Sequence, residues 1–132
     1  MAMHFPAIIT LFALLLFLTT IFAVGAARIK YGIKAPATTG NENFERIFRV
    51  QMNTLENLVL FLPALWLFDH YIGPFWSGIL GLIWLVGRID YAFSYRRSAE
   101  ARSRGYGISA LALLVLIVGA AVGVAMRIMA GL

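Results

Sequence analysis

Cysteine is missing from all 132 residues of this chain. That absence excludes a disulfide framework, a protein thiol nucleophile and a thiolate metal site together. Histidine occurs only at His4 and His70, far apart in sequence, so neither a metal cluster nor a Ser-His-Asp arrangement is expected. Charge is also scarce. Charged residues make up 13% of the chain, where soluble domains run near about 25%. The glycines include no phosphate-cradling loop, and no soluble domain, repeat or low-complexity tract is visible.

What remains is apolar, at 61% hydrophobic residues. Phe5–Ala27 and Gly105–Met126 carry no charge and exceed the roughly 20 residues that cross a bilayer as a helix. Between them, Glu45–Phe68 and Phe75–Tyr95 are apolar with one polar end each. The sequence therefore predicts an all-α integral membrane four-helix bundle, a single domain over residues 1–132. The AVGAA that ends the first run imitates a cleavage site. Yet the run is too long for a signal peptide and no Lys or Arg precedes it, so a retained helix is expected.

The net charge of +5 follows topology rather than nucleic-acid binding. Ten of the eleven Lys and Arg residues lie between Arg28 and Arg104, and none falls in the turn 69–74. Four spans place the basic clusters 28–49 and 96–104 on one side, the cytoplasmic side by the positive-inside rule. Compact loops and short termini favour a bacterial inner membrane over the endoplasmic reticulum.

One segment breaks the apolar pattern. In Phe44–Pro63, residues Glu45, Arg46, Arg49, Asn53, Glu56 and Asn57 share about one third of the helical circumference. Gln51 points away from that stripe. On the third helix, continued through its C-terminal end, Arg88, Tyr91, Tyr95, Ser98 and Arg102 fall within about 80° of one another. Ionisable groups at membrane depth need a partner, a cavity or a ligand. Glu45, Glu56 and Asp90 can neutralise Arg46, Arg49 and Arg88 as structural pairs, and Asp90 with Arg97 is expected to be one. The surplus of cationic and phenolic donors over carboxylates points instead to an anionic guest. Trp66, Trp76 and Trp84 read as packing or interface residues, Arg96 and Arg104 as solvated, and Gly105, Gly107, Gly119 and Gly123 as sites of close helix approach.

Phe44-Glu45-Arg46, Arg49 through Asn53, Glu56 and Phe61-Leu62, with Arg88, Tyr91, Tyr95, Arg97-Ser98-Ala99 and Arg102, resemble the signature of the MAPEG family (membrane-associated proteins in eicosanoid and glutathione metabolism). Arg28 and Thr38-Thr39-Gly40 extend the resemblance, which covers roughly residues 25–105. It is closest to the branch of leukotriene C synthase and microsomal glutathione transferase 2. The prostaglandin E synthase branch has His where this chain has Gln51. The resemblance implies a homotrimer with glutathione between subunits near the cytoplasmic face. By that likeness Arg49, Asn53, Glu56, Tyr91 and Tyr95 hold the tripeptide, Arg28 and Gln51 contact it from the same or an adjacent subunit, and Arg102 stabilises the thiolate. The partners so implied are glutathione, a hydrophobic electrophile or lipid hydroperoxide, and membrane lipid.

Two departures qualify the likeness. Asn57 stands where leukotriene C synthase has a glutathione-binding tyrosine, and Ile29 replaces a second arginine, which argues against leukotriene synthesis specifically. The alternative is a non-catalytic lipid-binding scaffold like the 5-lipoxygenase-activating protein, a branch without an arginine matching Arg102. The second substrate, and conjugation against peroxide reduction, stay open.

Overall fold

The computed structural model describes residues 2–132. It contains four long helices: α1 (Phe5–Tyr31), α2 (Glu42–Tyr71), α3 (Pro74–Arg97) and α4 (Ser103–Met129). No strand occurs among the described residues. Each helix has an identifiable start or stop. Gly32 ends α1 in the left-handed region at φ 70°, a conformation that a side chain disfavours. The Asn41 side chain caps α2 by accepting from the backbone N–H of Asn43 and Phe44. Gly73 and Pro74 make the short turn into α3, and α2 runs unbroken through Pro63.

Successive helices run antiparallel, as cross-helix contacts record. Phe5 meets Gly78, Trp66 Nε1 donates to Thr10 Oγ1 at 3.0 Å, and an Arg127 guanidinium N–H donates to the His70 carbonyl at 3.0 Å. The pair α2 and α3 forms the centre, α1 packs on both, and α4 packs on both from another side. Among the described residues no Cα of α1 comes within 8 Å of one in α4. The core holds Ile9, Ala13, Phe61, Leu65, Trp84 and Leu116, with the Phe61 and Trp84 rings stacked at 3.7 Å.

The outside of the bundle is apolar as well. Phe12, Phe22, Leu111 and Leu114 are all exposed, and α1 and α4 are each long and apolar enough to cross a membrane. In lipid, such surfaces lose no water on packing, so close van der Waals fit must hold the helices together. Glycine supplies that fit at the site end: a Cβ on Gly105 would lie 2.4 Å from the Tyr91 backbone nitrogen. Gly119 and Gly123 lie against Phe68 and Tyr71, as close approach requires, whereas Gly107 faces open space and serves no such contact. Thr10, Thr19 and Thr20 donate back to carbonyls of their own helix, which satisfies each hydroxyl proton locally.

Candidate functional site

The first turns of α2, the last turns of α3 and the start of α4 meet at one end of the bundle. There a cavity of about 500 Å³ is lined by Arg49, Asn53, Tyr91, Tyr95, Arg102, Ser103 and Tyr106. Arg49 also reaches Glu56, two turns along α2, with its Nη1 donating to Oε1 at 3.1 Å. Both partners are more than half exposed, so this pair contributes at most about 1 kcal/mol. It leaves the arginine available to another anion. Tyr91 and Tyr95, one turn apart on α3, hold their rings 5.4 Å from each other.

Arg102 arrives by a route the helical wheel did not anticipate. Helix α3 stops at Arg97, because Ser98 adopts an extended backbone (φ −162°, ψ 151°). Its Oγ accepts from the Ala101 N–H at 3.2 Å and so opens the single 3₁₀ turn Glu100–Arg102. That turn carries the Arg102 guanidinium back to within 5.6 Å of the Tyr95 ring centroid, where it also donates to the Ala99 carbonyl. A continuous helix through Arg102 is therefore incorrect, although Arg102 still joins Tyr91 and Tyr95. The reason is steric: α4 must fold back onto α3, and Gly105 packs directly on the Tyr91 backbone.

Other expectations need correction. Asp90 does not pair with Arg97 or Arg88. It accepts from Arg104 Nη2 at 2.6 Å and Nε at 3.2 Å, while Arg97 donates to Ser94 Oγ. The break after Arg97 is what brings Arg104 beside Asp90, so Arg104 is paired rather than merely solvated. Arg46 turns to Asn43, and Glu45 accepts from the Gly40 N–H. Arg88 is sealed inside the bundle rather than facing the cavity. Trp84, by contrast, is the packing residue expected; Phe61 and Phe68 are buried with it in the core, and Phe93 is exposed.

Five of the eight predicted site residues converge on the cavity: Arg49, Asn53, Tyr91, Tyr95 and Arg102. Glu56 adjoins it through Arg49. Arg28 and Gln51 do not line it. Arg28 Nη1 donates to the carbonyls of Ile33 and Ala37 at 3.3 and 2.7 Å, and its guanidinium lies 5.1 Å from the Phe44 ring centroid. Ser103 and Tyr106 were not anticipated. The i, i+4 spacing of Arg102 and Tyr106 on a helical start is the signal that identifies Tyr106.

The lining contains two guanidinium groups, three phenols, an amide and a hydroxyl, and no carboxylate. Such a set donates hydrogen bonds and favours negative charge. Helical fold, apolar exterior and a cationic cavity at one end define a helical membrane protein with a polar site beside its lipid-facing surface. Residues 6–122 match the model of the MAPEG family, and the chain belongs to that family. Its relatives include uncharacterized protein sll1147 of the cyanobacterium Synechocystis sp., 53% identical over 87% of this chain and 84% of the relative. Microsomal glutathione S-transferase 2 of Mus musculus is 41% identical over 79% of this chain and 71% of its own length. Leukotriene C4 synthase of Bos taurus is 37% identical over 89% and 78%.

Proposed function

We propose that this chain is a membrane-bound glutathione transferase that activates the glutathione thiol for attack on hydrophobic electrophiles, in a single domain over residues 1–132 that crosses the membrane four times. One observation carries the proposal: Arg102, Arg49 and two tyrosines from separate elements line one cavity in a chain that has no thiol of its own. The names of the relatives, microsomal glutathione S-transferase 2 and leukotriene C4 synthase, support the same chemistry. The fit is good. A cavity of about 500 Å³ lies within the range of about 300–1,000 Å³ usual for small-ligand sites, and its donors suit a molecule with two carboxylates.

Glutathione, when bound, supplies the nucleophilic sulfur. The residues do the rest. Arg49, Asn53, Tyr91 and Tyr95 bind and orient the tripeptide, and Glu56 takes its amine. Arg102 holds negative charge on the thiol sulfur. A free thiol has a pKa of about 8.5, and lowering it by two units needs about 2.7 kcal/mol of favourable interaction with the thiolate, which an adjacent guanidinium supplies once the bound tripeptide displaces water. Arg28 and Gln51 act from the adjacent subunit of a homotrimer, since in one chain they lie away from the cavity. The site sits at the cytoplasmic side, and the membrane is a bacterial inner membrane. The same activated sulfur also suits reduction of lipid hydroperoxides.

A lipid-binding scaffold has one observation in its favour. A purely apolar-lined groove of about 570 Å³ lies between α2 and α4, bordered by Leu60, Pro63, Leu67, Ile117 and Val124. The test is glutathione conjugation to a generic aromatic electrophile by the purified protein, beside Arg102→Ala. Turnover in the intact protein that collapses in the variant, with glutathione binding kept, supports the transferase. Absence of both turnover and glutathione binding sinks it and promotes the scaffold.

A further inference from the structure

Arg88 is only 1% exposed, the most deeply buried charge in the bundle. Its Nη2 donates to Thr54 Oγ1 at 3.2 Å, and the Thr54 hydroxyl in turn donates to the Val50 carbonyl at 2.7 Å. Its Nε and Nη1 find no acceptor among the described residues. Among the described residues no carboxylate pairs with it: Glu56 serves Arg49 and Asp90 serves Arg104. Its guanidinium lies 4.1 Å from the centroid of the Tyr91 ring, and Tyr91 is a wall of the cavity. Cation–π contact and one neutral hydrogen bond recover only part of the cost of burying a guanidinium in an apolar interior.

We propose that the negative charge accepted by the cavity is the missing counter-charge of Arg88, so that the empty protein carries a destabilising buried cation which ligand binding relieves. This rests on the cavity being an anion site. Arg88 does not line it, and acts as a positioning residue: it holds the Tyr91 wall by its ring and sets a positive potential behind it. Arg49 and Arg102 face the guest and reach water in its absence. Arg88 is shut off from bulk solvent and has no carboxylate partner among the described residues, so its charge is felt at longer range and is screened less.

The experiment compares wild type with Arg88→Met and Arg88→Gln, which remove the charge, and Arg88→Lys, which keeps it. Apparent melting temperature of the empty protein and calorimetric affinity are read for glutathione and for glutathione diethyl ester, whose carboxylates are masked. The uncharged variants are expected to melt no lower than wild type when empty. Their preference for glutathione over the diester should fall by on the order of tenfold, the effect expected if the unit charge stands roughly 10 Å from the carboxylates at an effective dielectric of about 20. Arg88→Lys should retain most of that preference. A purely structural arginine would instead lower the empty melting temperature and leave the preference unchanged. Either uncharged variant failing to fold, or keeping wild-type discrimination, overturns the proposal. If the wild type binds no glutathione, the transferase assignment fails first, and the empty-state melting comparison still decides the role of Arg88.

Discussion

In the proposed transferase, Arg102 and Glu56 would have two different duties for charge at one site, and each can be measured separately. Arg102 is assigned to the sulfur, where its contribution grows as negative charge develops. Arg102→Ala is expected to lower kcat at neutral pH by about 100-fold, the cost of one lost electrostatic donor. The residual rate should climb with pH through the ordinary thiol range near about 8.5, because the variant must wait for spontaneous ionisation. A pH–rate profile of both proteins checks this, and parallel profiles would remove Arg102 from thiol activation. Glu56 is assigned to ground-state binding of an amine. Glu56→Gln should raise the glutathione KM about tenfold or more, since a charge-assisted hydrogen bond contributes roughly 1.5–3 kcal/mol, with kcat at saturation little changed. A fall in kcat instead would move Glu56 into the chemistry.

At the scale of elements, the site depends on a helix ending where it does. The extended backbone at Ser98, the hydroxyl acceptor for Ala101 and the contact of Gly105 with Tyr91 together return Arg102 to Tyr95. Ser98→Ala should keep the helices intact and lower kcat several-fold by loosening the 3₁₀ turn, a split visible by comparing circular dichroism with turnover. Gly105→Leu should fail more broadly, because its side chain would occupy the space of the Tyr91 backbone. Away from the cavity lining, Asn41 closes the start of α2 by accepting bonds of 2.9 and 3.1 Å from successive backbone N–H groups. Asn41→Ala should cost about 1 kcal/mol of stability, read as a lowered melting temperature with unaltered kcat.

The whole molecule raises the question of where the remaining predicted contacts come from. Arg28 is occupied by the α1–α2 loop carbonyls and Gln51 lies off the cavity, so a second copy must bring them to the site if they act there. This has a direct test in mixed assemblies. Arg28→Ala and Arg102→Ala chains, each strongly impaired alone, should regain activity when co-expressed, with about a quarter of sites complete in an even random mixture. No recovery, with mixing confirmed by a tag on one chain, would place both arginines in one subunit's site. Particle mass in detergent measures the number of copies independently.

Several properties follow from the sequence without any structure. Apolar runs of spanning length dictate helices, since only a helix satisfies the backbone polar groups of a lipid-exposed segment within that segment. Helical periodicity places Arg49, Asn53 and Glu56 on one face of α2, and Tyr91 with Tyr95 on one face of α3, because those spacings lie within unbroken helices. The tertiary structure decides what periodicity cannot reach. Arg102 lies beyond the end of α3, so only the chain reversal at Ser98 determines where it goes. The same reversal gives Asp90 to Arg104 rather than Arg97, and brings Ser103 and Tyr106 to the cavity. Burial is likewise a property of the packed bundle: on a helical wheel Arg88 shares the stripe of Tyr91 and Tyr95, and only the approach of α2 through Thr54 encloses it. Local spacing thus specifies which residues share a face, and packing between helices specifies which of them meet a ligand and which remain without a counter-charge.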